Sequence, residues 1–264
     1  MNTDNAAREY YFTDTLRRII QKNGSVIISP IDGEDEIFGI NNKLDLSKAL
    51  KIAYQKTAQR LMIEEGVIII DPDSVFIGPD VKIGKDTVIL PFCYLDGKIT
   101  IGENSQIGPY VCLRASTAPI QIGTDCLVGP YSSIRSGSIL EDGVHMGTFV
   151  EIKKTKLGKM SKAMHLAYLG DADIGERVNV GAGTITCNYD GVTKHKTSIE
   201  DDVFIGSNTT IVPPITLKKG SYTGAGSVIT EDVPEDSLAL GRSRQINKEG
   251  WCRKMKEAKA KKND

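Results

Sequence analysis

Aromatic side chains are scarce in this chain: 6% of its 264 residues, with a single tryptophan. A core built on rings is thereby excluded, and the buried volume must be filled by Ile, Val and Leu, within a hydrophobic content of 40%. An excess of charge of either sign is also missing. Lys and Arg number 33 against 34 Asp and Glu, a net charge of -1, which removes any whole-chain case for nucleic acid and makes anion-binding charge a local matter. No uninterrupted apolar run approaches the roughly 18 residues of a membrane-spanning helix. The opening MNTDNAAREYYFTD has neither the basic n-region nor the apolar h-region of a signal peptide. A cytoplasmic protein with no membrane partner is expected. The five cysteines, Cys93, Cys112, Cys126, Cys187 and Cys252, are odd in number and form no CxxC, so buried, reduced thiols are expected.

What is abundant is a period of six. Ile77, Ile83, Ile89, Leu95, Ile101, Ile107 and Leu113 form one run; Ile122, Val128, Ile134, Leu140, Met146 and Ile152 a second; Ile199, Ile205, Ile211, Leu217, Thr223 and Ile229 a third. Glycine often follows the aliphatic, as at Gly84, Gly102 and Gly206, and a small or β-branched residue sits four positions after it, as at Thr87 and Ser105. Six matches neither the 3.6 of a helix nor the 2 of a strand. It matches a coil with three flat faces, one hexapeptide per face, the aliphatic pointing inward and glycine easing the corner. Stacked coils bury a continuous aliphatic column that no single coil could bury. The fold class is therefore mainly β, a parallel β-helix of hexapeptide repeats.

Ahead of the repeat, residues 9–22 show helical apolar spacing, SVIIS (25–29) reads as a strand, and residues 46–66 read as a linker helix with Leu46, Leu50, Ala53 and Tyr54 on one face. Three domains are expected: a short α/β segment with linker helix over 1–66, the β-helix over 67–250, and a basic tail over 251–264. The sixfold phase breaks between Leu113 and Ile122, between Ile152 and Ile174, and between Val180 and Ile199. Insertions in a solenoid are expected to leave as surface loops, and loops on a rigid scaffold often carry function. After Ile229 the repeat is expected to stop.

Three histidines are present, His145, His165 and His195. His165 stands out because it falls in the second break, and an imidazole suits proton transfer near neutral pH. Arg114, Arg135 and Lys153 follow inward aliphatics, where other coils carry Gly, Asp or Glu. Arg135 and Lys153 are 18 residues apart, one turn of three hexapeptides, which stacks them on one corner about 4.8 Å apart. Like charges that close call either for carboxylate partners such as Glu151 or Glu141, or for a bound phosphate. The segment NVGAGTITCNYDGVTK (179–194) adds glycines that permit close ligand approach and a turn signal.

Residues 146–191, with VEIKK, KAMHLAYLGDA and GAGTITCNYDG, and then DDVFIGSNTTIVPPITL, the second GAG at 224–226, SLALGRSRQ and NKEGW, resemble the C-terminal domain of bacterial bifunctional glucosamine-1-phosphate acetyltransferase / N-acetylglucosamine-1-phosphate uridyltransferase. The resemblance covers residues 66–251. It implies a left-handed β-helix, a homotrimer with sites between subunits, and acetyl-CoA-dependent N-acetylation of glucosamine 1-phosphate on the way to UDP-N-acetylglucosamine, with no metal needed for that step. It implies His165 as general base oriented by Glu151; Arg135, Lys153, Tyr168, Asn179 and Lys194 at the sugar phosphate; and Ala182, Asn188, Tyr189, Ser207, Ala225 and Arg242 at acetyl-CoA. Residues 1–66 resemble only the closing piece of the uridyltransferase domain, where Asn41 is similar to the family's metal-binding asparagine. No Gly-rich phosphate loop is found there, so no uridyltransferase activity is expected of this chain. The alternatives are another hexapeptide sugar acyltransferase, a carbonic anhydrase, which needs three zinc-binding histidines that the spacing here does not supply, and a non-catalytic β-helix scaffold.

Overall fold

The computed structural model describes residues 6, 8–30 and 33–260, in two compact units, Met1–Leu50 and Lys51–Asp264. The second unit is a parallel β-solenoid. One face is a 10-stranded sheet with a strand from each coil, running from Ile68–Ile69 to Leu238–Ala239. The other two faces form a 15-stranded sheet, joined where the longer strands Tyr94–Ile101 and Cys112–Ile122 run around a corner. The first rung, Ile68–Ile69 on Val88–Ile89, precedes the sixfold run, and Leu238–Ala239 on Tyr222–Thr223 adds a rung after the point where the repeat was expected to stop.

The inward aliphatics are buried as the period requires: Ile77, Ile89, Leu95, Ile107, Leu113, Ile134 and Ile152 are each 0% exposed. Full burial of such a side chain contributes about 1.5–3 kcal/mol over leaving it in water. The small residues at the fourth position have their own reason. The Thr87 hydroxyl donates to Gly102 O at 2.7 Å and accepts from Ser105 N–H at 3.1 Å. Ser105 repeats this one coil on, donating to Gly123 O and accepting from Cys126 N–H. At Thr87 and Ser105 the hydroxyl ties successive coils without leaving itself unmet.

Glycine and the corners divide differently from expectation. A Cβ at Gly84 would meet Glu103 N at 2.7 Å, and one at Gly102 the Gly123 carbonyl carbon at 2.6 Å; what these positions require is close approach of the next coil. The left-handed corner conformation is held mostly by other residues. One corner column is Asp86, Asn104 and Asp125, with φ of 59°, 54° and 55°. Another is Phe92, Tyr110, Tyr131 and Phe149, with φ of 62°, 56°, 55° and 56°. These four rings are exposed and stack along the outside of the prism, with centroids 4.9, 4.8 and 5.4 Å apart. The scarce aromatics thus lie outside a core of aliphatic side chains joined by Cys93, Cys126 and Met146.

Of the three breaks in phase, only the last leaves the prism as an arm. The first is absorbed in the strand Cys112–Ile122, whose register against Tyr94–Ile101 slips between Gly97 and Ile99. The second is a regular stretch of coil: Leu140, Leu157 and Ile174 are ladder partners, as are Ile152 and Leu169, so each coil there holds 17 residues where the step from Ile134 to Ile152 just before takes 18. Dropping one residue keeps the inward column intact while breaking the sixfold count. The third is an insertion, for Ile174 pairs with Ile199.

The first unit carries α1 (Thr13–Gln21), a short 3-10 turn at Glu34–Ile37 and the start of α2 (Lys43–Ile63). None of its described residues is buried. The strand expected at 25–29 is absent: no neighbouring chain segment pairs with it among the described residues, and Ile27 and Ile28 stay 90% and 88% exposed. An apolar run reads as a strand in isolation, but a strand exists only where a partner accepts its hydrogen bonds. α2 opens on a capping box: Asn42 Oδ1 accepts from Asp45 N–H, while the Asp45 carboxylate accepts from the Asn42 amide and from Asn41 N–H. Of the apolar face read along this helix, Leu46, Leu50 and Ala53 are exposed and Tyr54 is half-buried; Thr57, Ala58 and Leu61, further along, are buried. At the other end, the basic tail forms α3 (Trp251–Ala260), exposed along its described length.

Candidate active site

On one face of the 15-stranded sheet, the strands Ser133–Arg135, Glu151–Lys153 and Tyr168–Gly170 lie in register. The alternation of a strand sends Ile134, Ile152 and Leu169 into the core and two columns outward. One column is Cys112, Ser133, Glu151 and Tyr168; the other is Asp96, Arg114, Arg135, Lys153 and Gly170. Three cations therefore occupy consecutive rungs. Arg135 Nη1 meets Glu151 Oε1 at 2.9 Å, so the carboxylate and phosphate readings of this stack both retain a foothold: Glu151 answers one cation, not all of them. The groove above holds about 520 Å³ and is lined by Arg114, Arg135, Lys153 and Glu151, with the Ser116–Thr117 bulge and Ser136 along one side.

Lys194 joins this cluster from the third break. Its charge, with that of Arg135, holds the Lys153 pKa below the ordinary lysine value. Below Lys153 the column ends in Gly170. A Cβ there would meet Tyr168 Oη at 2.6 Å and Asn188 Nδ2 at 2.7 Å, so the missing side chain is what lets those two groups close over the rung beside Lys153. Asn188 is 6% exposed and donates to the Asp171 carboxylate.

His165 belongs to the regular coil, correcting the expectation of a loop. It ends the strand Lys162–His165 in the 10-stranded sheet, paired with Thr148. The ring is exposed and makes no hydrogen bond with another described residue. Tyr168, across the corner, opens the strand on the cation face. Following the register down the 10-stranded sheet, Ala163, Val180, Ile205 and Thr223 are successive partners. Two residues beyond each stand His165, Ala182, Ser207 and Ala225, in one column. Ala182 O accepts from Asn208 N–H at 2.7 Å and Ser207 O from Gly226 N–H at 2.8 Å. The left-handed corner residue beside this column changes character at His165. Above it stand Phe92, Tyr110, Tyr131 and Phe149, then Leu166; below come Gly183, Asn208 and Gly226. The corner residues beside Ala182, Ser207 and Ala225 are thus small, and the Arg242 side chain lies 3.9 Å from where a Gly226 Cβ would stand.

Asn179 stands apart from the cation cluster, on the 10-stranded sheet between Lys162 and Phe204. Tyr189 is exposed on the arm, its hydroxyl donating to Gly191 O at 2.6 Å. Asn41 precedes the α2 cap in the first unit. Sequence reasoning passed over Asp171 and Asp190, which fasten the arm; the NYDG turn was the visible signal for the second. The expectation of buried thiols needs correcting too: Cys93 and Cys126 are buried, Cys112 is half-buried, and Cys187 and Cys252 are exposed.

The family model described as bacterial transferase hexapeptide (six repeats) matches residues 80–115 and 196–231. The chain is 49% identical over 269 residues to a protein of Fervidobacterium nodosum named bifunctional protein GlmU, covering 97% of this chain and 58% of that one. Proteins of the same name from Carboxydothermus hydrogenoformans and Thermosipho africanus are 44% and 48% identical, over 96% and 97% of this chain and 59% and 58% of theirs. The chain thus spans a little over half the length of these relatives. A solved Arabidopsis UDP-N-acetylglucosamine acyltransferase superposes at a TM-score of 0.43 with 18% identity, over 75% of this chain and 80% of that one, too distant to bear on function.

Proposed function

The chain is a hexapeptide-repeat protein akin over nearly its whole length to the bifunctional GlmU proteins, and we propose that it transfers the acetyl group of acetyl-CoA to the amine of glucosamine 1-phosphate. The observation that carries this reading is the crowding of Arg135, Lys153 and Lys194, with one carboxylate among them, beside a polar groove. Stacked cations on a rigid ladder favour a phosphate, which returns the charge their proximity costs.

In the proposed reaction His165, exposed and without a hydrogen-bond partner among the described residues, removes a proton from the substrate's ammonium or attacking amine. The amine nitrogen adds to the thioester carbonyl, backbone N–H groups near Ala182 or the Asn179 amide meet the oxyanion, and the C–S bond breaks to release CoA as the thiol. The column of Ala182, Ser207 and Ala225, with Arg242, Asn188 and Tyr189, takes the acyl donor. Glu151 is assigned to orient His165; in the single chain its carboxylate bonds Arg135. Because His165 and the cation groove lie on different sheets either side of an exposed corner, the proposal includes a homotrimer in which neighbouring copies complete each site. No metal is called for by these groups.

The test is acetyl-CoA turnover with glucosamine 1-phosphate, paired with His165→Ala. The variant is expected to keep its fold and to lose about 10²–10⁴-fold in turnover, and a drop of less than about fivefold would remove His165 from the reaction. Light scattering should give a trimer; an active monomer contradicts the shared site.

A further inference from the structure

The arm that delivers Lys194 is more heavily fastened than a surface loop needs to be. One coil, from Ile174 to its partner Ile199, takes 25 residues where the coil before, from Leu157, takes 17. The excess leaves the prism between Cys187 and Lys196. At the entry the Asn188 amide donates to Asp171. At the exit Lys196 Nζ meets Asp173 Oδ2 at 3.1 Å. Within the arm Tyr189 and Lys194 form an antiparallel bridge, and His195 N–H donates to Asn188 O at 2.9 Å. At its centre is Asp190. Its carboxylate accepts from the N–H groups of Val192 and Thr193, both at 2.7 Å, from the Thr193 hydroxyl at 3.0 Å, and meets His195 Nε2 at 2.6 Å.

Both neighbours of Lys194 in the chain, Thr193 and His195, are thus tied to one carboxylate. This matters because Lys194 is near enough to Lys153 to lower that lysine's pKa, a position that like charges alone would not favour. A slack arm would let the lysine swing away, since neighbouring like charges repel even in water. We propose that Asp190 and His195 are positioning residues: they lock the arm so that Lys194 faces Lys153 across the place a substrate phosphate occupies, building an anion clamp before substrate arrives. The proposal rests on the sugar-phosphate reading above for its ligand, not for its geometry. A clamp held ready avoids the ordering that a mobile lysine would undergo on binding.

The experiment uses the full chain and measures KM for glucosamine 1-phosphate, KM for acetyl-CoA, kcat and melting temperature. Asp190→Ala and His195→Ala are each expected to raise the sugar-phosphate KM about tenfold, the scale of one charged hydrogen bond weakened, with the other constants and the melting temperature near their starting values. His195→Gln, which can still donate to Asp190, should restore most of the loss. In a Lys194→Ala background, Asp190→Ala should add nothing further, because its action passes through that lysine. An unchanged KM in Asp190→Ala, or losses that add independently of Lys194, would overturn the proposal. Thermal stabilisation by inorganic phosphate keeps the two readings apart. If it depends on Asp190 and Lys194 while glucosamine 1-phosphate is not turned over, the clamp stands and the substrate assignment falls. If phosphate stabilises parent and Asp190→Ala alike, the clamp falls.

Discussion

Lys153 is the residue at which fold and site disagree most. Lys194 and Arg135 lower its pKa from the ordinary lysine value. A base with a lowered pKa is charged at neutral pH at the folded state's expense. That cost is fully present below its folded pKa, and it is relieved as pH rises through the window between that value and the ordinary one of about 10.4. Replacing it with Met should therefore raise the melting temperature of the unliganded chain at pH 7 in low salt. The gap to the parent should shrink when salt or inorganic phosphate is added, and shrink again toward alkaline pH; a variant that melts lower than the parent under every condition would remove the strain argument. Gly170 works by absence. Gly170→Ala should push Tyr168 and Asn188 off the rung beside Lys153, by the 2.6 and 2.7 Å approaches at that position, and weaken sugar-phosphate binding while the aliphatic column below stays intact. A substrate KM equal to the parent's would show that Tyr168 and Asn188 need not close there.

At the scale of the element, a coil is held by its column of hydroxyls as well as by its aliphatics. Thr87 donates and accepts between coils, so Thr87→Val should cost about 1–3 kcal/mol by leaving buried backbone groups unmet. The Ser138, Thr197, Ser221 and Ser227 hydroxyls have no partner among the described residues. Ser138→Ala should then be neutral or stabilising by urea denaturation, and equal losses at both positions would deny the distinction. This is also the scale at which the sequence misled. The strand at 25–29 was read from apolar content, which says nothing about a hydrogen-bonding partner. The stretch from Ile152 to Ile174 mimics an insertion because one residue is dropped between Ile152 and Leu157 and another between Leu169 and Ile174, and a period of six cannot be followed past a deletion by counting. His165 was noticed on that mistaken ground, and it sits instead in a paired strand.

For the whole molecule, the three-faced prism was legible because its signal is global: each coil repeats the same inward residue, and a few misplaced ones leave the period standing. The cation stack was legible for the same reason, since Arg135 and Lys153 inherit their alignment from the repeat. The period is silent on Lys194, which only the resemblance groups with Lys153, because an arm of irregular backbone has no period to extrapolate, and its shape follows from Asp190's four contacts. The thiols sort by the same geometry. Cys93, wholly enclosed, has its pKa pushed up to about 11 by burial, and Cys126 is raised for the same reason. A thiol reagent at pH 8 is expected to label Cys187 and Cys252 quickly in the native chain and the buried pair only on unfolding. Rapid labelling of Cys93 would mean that the coil around it opens readily.

The stacked column Phe92, Tyr110, Tyr131 and Phe149 makes the prism visible to light in its own band. Tyr110 and Tyr131 are nearly parallel, 6° apart at 4.8 Å, and Phe204 stacks on Tyr222 at 5.2 Å, close enough for their electronic transitions to couple. The only tryptophan, Trp251, is on the exposed tail helix α3. Near-ultraviolet circular dichroism at tyrosine wavelengths therefore reports the stacking of coils. Tryptophan emission reports the tail, and an unfolding curve followed by it alone would trace the melting of one terminal helix.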